Sequence, residues 1–117
     1  MMFPLLLAFN LTLAAASDGD KYAPSEVAAA QARLEHAGSV IGAASLCLQI
    51  DRERVREAAR KMNALIDKGV DDNNQYYAAH RIFDKGLDKG KAAIRNRDSD
   101  CTRAESDLSG LEKELGP

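Results

Sequence analysis

The sequence predicts an all-α fold, a small four-helix up-down bundle stapled by one disulfide between Cys47 and Cys101. Three observations support this. Apolar residues recur at intervals of three and four along four segments, as they do on the buried face of an α-helix. Polar caps and glycines leave only short connections between these segments, which favours an up-down bundle. Of the two cysteines, one ends the first segment and the other begins the fourth.

The beginning of the chain, residues 1–16, has the features of a secretory signal peptide. It carries no charged side chain and ends in Ala14-Ala15-Ala16, an A-x-A-like cleavage site. We predict cleavage after Ala16 and export to the periplasm or the extracellular space. An uncleaved signal anchor is the alternative, because the usual basic n-region is missing. The apolar run is shorter than the roughly 20 residues that a membrane span requires, so no stable span is expected after cleavage.

The rest of the chain has the size of one domain. Residues 17–24 are polar and contain Gly19 and Pro24, which predicts a flexible mature N-terminus, and residues 25–117 are predicted to form a single helical domain. The 16 Lys and Arg residues and 18 Asp and Glu residues leave a net charge of -2. Because proteins that bind nucleic acids usually carry a clear positive charge, no nucleic-acid partner is expected.

The first helix is predicted from Ser25 to about Cys47. A packing seam of alternating large and small residues runs along it. The large positions are Val27, Leu34, Ile41 and Leu48, and the small ones are Ala30, Ala37 and Ala44. Gly38 and Gly42 either allow a neighbouring helix to approach closely or break this helix, since a glycine costs about 1 kcal/mol relative to alanine.

The second helix is predicted from Arg52 to Lys68. Asp51 precedes it as a cap, and Gly69 follows it as a natural stop. Its apolar residues follow the i, i+3, i+4, i+7 spacing of an amphipathic helix. They are Val55, Ala58, Ala59, Met62, Leu65 and Ile66.

The third helix is predicted to follow a polar capping cluster, Asp71 to Asn74, and to reach Arg95. Its packing face consists of Tyr76, His80, Phe83, Leu87, Gly90 and Ile94. Gly86 and Gly90, four residues apart, predict a close helix contact inside the bundle or across a homodimer. The adjacent Tyr76 and Tyr77 point in different directions on a helix, so we expect one in the core and the other partly exposed.

The fourth helix is predicted to begin at Cys101, after a cap provided by Asp98, Ser99 or Asp100. It ends before Gly116 and Pro117. Its seam consists of Cys101, Ala104, Leu108, Leu111 and Leu115. In an oxidising compartment the two cysteines are expected to form a disulfide that encloses the second and third helices. A redox-active or metal-binding pair is the alternative, although no C-x-x-C motif is present.

Candidate chemistry is sparse. His36 and His80 are the only histidines, and no three metal ligands occur at a recognisable spacing with them, so no metal or cofactor is expected. Residues 67–74 resemble a calcium loop only superficially, because the glycine is misplaced and Ala78 stands where a bidentate Glu is needed. Motifs for nucleophilic or two-carboxylate catalysis are missing, which predicts that the protein is not an enzyme.

These observations favour a small exported, non-enzymatic helical protein that acts by binding another protein whose identity is unknown. A stress-protective role is one variant of this hypothesis. Tyr76, Tyr77 and His80 are the candidate interaction surface, because aromatic side chains often anchor protein interfaces. The alternative is a carrier of a small ligand or metal that uses His80 and a groove along the third helix.

Overall fold

The computed structural model describes residues 24–69 and 73–117, with side chains for 28–69 and 76–117. The predicted all-α class is confirmed, and these two segments contain no β-strand. The four helices are α1 (Pro24–Ser45), α2 (Arg52–Gly69), α3 (Asn73–Arg95) and α4 (Cys101–Leu115). The predicted signal peptide, residues 17–23 of the predicted flexible terminus, and the proposed caps Asp71 and Asp72 lie outside the described residues.

Two helices begin at aspartate caps. The Asp51 carboxylate accepts a hydrogen bond from the Glu53 N–H at 3.0 Å, at the start of α2. Of the cap residues considered for α4, Asp100 fills the role and accepts from the Arg103 N–H at 2.8 Å. Each carboxylate satisfies an amide that has no partner within its helix, which explains why the helices begin where they do.

Helices α1 and α3 touch through their backbones. A Cβ atom placed on Gly86 would lie 2.9 Å from the carbonyl carbon of Glu35, and one on Gly90 would lie 2.7 Å from that of Ser39. Both contacting positions advance by four residues in the same direction, so the two helices run parallel. They are therefore the first and third members of an up-down bundle, in close contact across it.

The glycines of α1 meet α3 in the same way. A Cβ on Gly42 would lie 2.8 Å from the carbonyl carbon of Leu87, and one on Gly38 would lie 3.1 Å from the Cα of Gly86. The glycines of α1 therefore allow close approach and do not break the helix. Because the contact forms within one chain, a homodimer would have to use a different surface.

The core draws on all four helices. The largest fully buried side chains are Leu34, Met62, Ile66 and Leu108, and Phe83 of α3 is also buried. The predicted seam positions of α1 and α4 that are buried are Ala30, Leu34, Ala37, Ile41, Ala44, Ala104, Leu108, Leu111 and Leu115. The helical periodicity thus identified the packing faces correctly over most of their length.

The end of α1 differs from the prediction. The helix stops at Ser45, and Leu48, which the heptad spacing assigned to the seam, is 89% exposed. The Ser45 hydroxyl donates to the Gly42 carbonyl at 2.6 Å, and tight turn bonds follow, such as the Cys47 N–H to the Ala44 carbonyl at 3.1 Å. Because the helical register is lost there, Ile50 fills the core instead of Leu48.

A charged network joins α2 to α4. The Arg54 guanidinium donates to Glu105 at 2.7 Å and 2.8 Å, and to Glu112 at 2.7 Å and 3.2 Å. It also reaches the Ser109 hydroxyl at 3.3 Å. The hydrogen bonds with Glu112 and then Glu105 raise the pKa of Arg54 above its ordinary value. The Nε and Nη2 atoms of Arg54 form a fork with Glu112, and Nη1 holds both oxygens of Glu105, so the network fixes the rotation of α2 against α4 better than a single contact would.

Gly110 has no packing role within the described part of the chain, in contrast to the glycines of α1 and α3. No neighbouring atom lies within 4 Å of a Cβ placed there. We expect Gly110→Ala to stabilise the protein by about 1 kcal/mol, because alanine loses less backbone entropy on forming a helix. Urea unfolding followed by circular dichroism measures this change. An unchanged or lower midpoint would contradict the expectation.

Candidate functional site

The disulfide pins the turn after α1 to the start of α4. Cys47 and Cys101 are bonded, with their Cα atoms 5.7 Å apart, which confirms the predicted pairing. The Cys47 side chain is buried and Cys101 is partly buried. Together with the buried Ile50, this bond holds the turn against the bundle on both sides of Leu48. The exposed leucine therefore stands on a backbone that is anchored immediately before and shortly after it.

A cavity of about 130 Å³ lies between this turn and the first turns of α2. We call it the turn cavity. Its apolar lining residues are Ala44, Cys47, Leu48, Ile50 and Val55. Its polar lining residues are Ser45, Arg52 and Arg56. Apolar walls beside two cationic side chains are a composition suited to binding an amphipathic group.

The two arginines of the turn cavity lie on one face of α2. They are four residues apart, a spacing that brings side chains together on a helix surface. Arg56 pairs with Glu53 within the helix, and the side chains of Arg56 and Glu53 are 69% and 73% exposed. An ion pair so open to water is worth little, so Arg56 can exchange this partner for another carboxylate at small cost.

The predicted interaction residues on α3 lie at the other end of the bundle. Tyr76 is 38% exposed and Tyr77 is 59% exposed, so the expectation that one of them enters the core is wrong. They occupy the first turns of α3, beyond the level of the buried Ala79 and Phe83. The Tyr76 ring instead packs against the His80 ring, with centroids 4.4 Å apart.

His80 is partly buried in this aromatic group. Its Nε2 atom is shielded from solvent and has no hydrogen-bond partner among the described residues. Further along α3, Gly86 and Gly90 lie against the backbone of α1, which leaves no room for a ligand at either glycine. A ligand bound by His80 would therefore have to lie nearer to the start of α3.

The two histidines are not brought together. His36 is exposed and lines a separate groove of about 200 Å³ between α1 and α4, beside Asp107 and Glu114. Within residues 28–69 and 76–117, His, Cys, Asp and Glu side chains form no group of three or more that could hold a metal ion. The sequence prediction of no metal site remains a prediction for the whole chain.

Sequence reasoning missed the turn cavity. The heptad spacing placed Leu48 in the core, and nothing in the composition of residues 44–56 distinguishes a cavity from a packed turn. One signal was present: if Asp51 caps α2, the preceding residues cannot continue α1 as a helix. Leu48 therefore had to leave the helical register, but only the tertiary structure shows that it faces solvent.

Comparison with known proteins identified no relative of this chain: no family model, curated protein or solved structure matches it. In the segments that the structure describes, no helix combines the length and apolar character required to cross a bilayer. The site must therefore be interpreted from its own residues.

Proposed function

We propose that this protein is a small exported helical protein that works by binding another protein and has no enzymatic activity. The observation that supports this most directly is Leu48, 89% exposed beside the apolar turn cavity, whereas Leu34 and Leu108 are completely buried. A single exposed leucine is common on protein surfaces. An exposed leucine on a covalently anchored turn, next to an apolar cavity, is better explained as part of a contact surface.

Anchoring favours binding as well as folding. Each flexible side chain or loop that becomes ordered on association costs free energy, and a surface that is already rigid avoids much of that cost. The disulfide and the buried Ile50 hold the turn cavity before any partner arrives. This supports a preformed binding surface over one that folds on contact.

Export is supported by two independent features. The apolar beginning of the chain has a signal-peptide pattern, and the disulfide suits an oxidising compartment. Mass measurement of the protein isolated from its producing cells tests this proposal. A mass that begins at Ser17 supports cleavage and export, and a full-length chain in a reducing compartment contradicts it.

The binding proposal is tested with Leu48→Ser. Because the side chain is 89% exposed, we expect its replacement to change the free energy of unfolding by less than about 0.5 kcal/mol. Native mass spectrometry of the protein from its own compartment should show a stoichiometric protein partner with the wild type and much less with this variant. The matched control is Asn63→Ser, which alters an exposed position on α2 that does not line the turn cavity. Equal partner recovery from all three proteins would contradict the proposal.

The second candidate is a ligand carrier centred on His80, supported by the buried Nε2 atom that lacks a partner among described residues. A buried ring nitrogen without a hydrogen bond is costly, and a bound ligand could supply one. The same native mass spectra distinguish the two functions. A bound metal or organic mass that disappears in His80→Phe would favour the carrier, and a bound protein that disappears in Leu48→Ser favours the interaction protein.

The stress-protective variant of the proposal depends on loosening in acid. Lys89 and Lys85 of α3 approach the Glu35 carboxylate of α1 at 3.2 Å and 3.3 Å. The hydrogen bond from Lys89 is the main reason that the pKa of Glu35 lies below its ordinary value of 4.5. Glu35 therefore binds a proton less readily in the folded chain than in the unfolded chain. Its contribution to stability is present above pH 4.5 and is lost as the pH falls through the folded pKa.

We expect Glu35→Gln to be less stable than the wild type at pH 7, and this difference to shrink as the pH falls below 4.5, because the wild-type carboxyl then becomes protonated as well. Urea midpoints of the wild type and the variant at pH 7, 5, 4 and 3 measure this difference in stability. A difference that is the same at pH 7 and pH 3 would show that the lysine contacts do not stabilise the fold. The stress-protective variant itself would be abandoned if the wild type bound no additional hydrophobic dye at pH 3.

A further inference from the structure

The turn cavity has the size and charge to select a particular kind of partner segment. Resting on the proposed function, we propose that it receives one apolar side chain from an acidic segment of the partner protein, whose flanking carboxylates pair with Arg52 and Arg56. The occupant is thus a short acidic stretch of polypeptide with a single bulky apolar anchor.

The volume suits one apolar side chain. Cavities for drug-sized ligands measure about 300–1,000 Å³, whereas an apolar cavity of about 150 Å³ holds a single benzene-sized group. The turn cavity, at about 130 Å³, matches the smaller class. A leucine or phenylalanine side chain matches this space, whereas a nucleotide or a whole lipid chain would extend beyond it.

The apolar walls explain why that side chain would bind. Ile50 and Cys47 are themselves buried against the core, so the cavity has a firm base. Leu48 stands exposed on its edge and can cover the guest from the solvent side. Burial of a leucine or phenylalanine side chain removes apolar surface from water, which suits it to be one anchor in a larger interface.

Arg52 and Arg56 explain why the segment should be acidic. Both side chains are exposed, and among the described residues they are the charged ones that line the cavity. A guanidinium pairs with a carboxylate through two parallel hydrogen bonds, so it selects both charge and orientation. Their spacing of four residues places them on one side of the guest, where carboxylates next to the anchor can meet both.

A lipid surface fits this region less well. The same turn carries the carboxylates of Asp51 and Glu53 beside the arginines, and the whole chain has a net charge of -2. An anionic bilayer would repel those carboxylates wherever it met the arginines. A peptide can instead bring its carboxylates to the arginines and keep them away from Asp51 and Glu53. The presence of both charge signs beside the cavity therefore favours a protein segment.

The test is selection from a random peptide library displayed on phage, with the disulfide-bonded protein as the target. We expect enriched peptides to contain one leucine or phenylalanine flanked by Asp or Glu. Synthetic versions should bind the double variant Arg52→Glu, Arg56→Glu about tenfold or more weakly, because two attractions become repulsions. Versions carrying Lys in place of the acidic residues should bind this variant more tightly than the wild type.

Arg60→Glu is the matched control. Arg60 is exposed on the same helix and pairs with Glu57 three residues earlier, as Arg56 pairs with Glu53, but it does not line the turn cavity. Its replacement should leave peptide binding unchanged. If the double Glu variant failed to fold by circular dichroism, the pair Arg52→Gln, Arg56→Gln would provide the same comparison without charge reversal.

The other outcomes separate this inference from the proposed function. Peptides whose binding depends on Leu48 but which are neutral or basic would overturn the acidic segment and leave protein binding intact. Binding to phosphatidylglycerol vesicles that depends on Leu48, with no such peptide enriched, would overturn both in favour of a lipid surface. Finding neither peptides nor vesicles bound would overturn the acidic segment, and the native mass spectra of the wild type and Leu48→Ser would still decide on protein binding.

Discussion

Gly42→Ala is expected to destabilise the protein by about 3 kcal/mol or more, at the upper end of the effects of overpacking. The added Cβ would overlap the Leu87 carbonyl oxygen and lie 2.9 Å from the Leu87 Cα. These are backbone atoms of a neighbouring helix, so no side chain can rotate away. Relief would require α1 and α3 to separate, and that movement would open the core on both sides of the contact.

Gly90→Ala should have an effect of similar size from the opposite helix, because its Cβ would lie 2.8 Å from the Ala43 backbone nitrogen. Urea unfolding monitored by circular dichroism at 222 nm measures both losses. Gly110→Ala is the control, since the same substitution in open space should raise the midpoint. If Gly42→Ala and Gly90→Ala also raised the midpoint, the close parallel contact of α1 and α3 would be wrong.

Loss of the disulfide is expected to cost about 4 kcal/mol in the double variant Cys47→Ala, Cys101→Ala, from the entropy of a closed loop of this length. The bond spans a sequence separation of 54, so it restricts the unfolded chain across all of α2 and α3. Many of the buried residues in the described segments are alanines, each of which buries little apolar surface, so the core has less reserve of stability than one built from larger side chains.

The comparison requires two controls. The wild type treated with dithiothreitol should approach the stability of the double variant, whereas the variant should not respond to the reductant. Peptide mapping without reduction should join the peptides that contain Cys47 and Cys101. A loss below about 1 kcal/mol would show that native contacts alone hold the end of α1 against α4, contrary to the chain-entropy model.

The helices were predictable because their determinants are local. Asp51 and Asp100 cap the helices that follow them, and the three-four spacing of apolar residues located the buried faces. Cysteine count and a signal-like beginning were sufficient to predict the bond between Cys47 and Cys101. Each of these inferences needs only residues near one another in sequence, or a pair with no competitor.

Predictions about the ends of elements were weaker. Periodicity extended α1 to Cys47 and put Leu48 in the core, and it put one of Tyr76 and Tyr77 there as well. The periodic spacing of apolar residues can continue in the sequence after the helix has ended. It also does not show where the bundle ends and its residues become exposed. Leu48 lies beyond the last helical turn of α1, and the two tyrosines lie in the first turns of α3, at the opposite end of the bundle.

The residues alone thus determine four helices, their packing faces and the disulfide between the first and the last. Only the tertiary structure shows which helices meet through the glycines Gly38, Gly42, Gly86 and Gly90. A pair of glycines permits close approach but does not specify the neighbouring helix. The turn cavity has the same origin. It arises where the end of α1 and the start of α2 diverge around an anchored turn, and its shape depends on residues that no single periodic pattern connects.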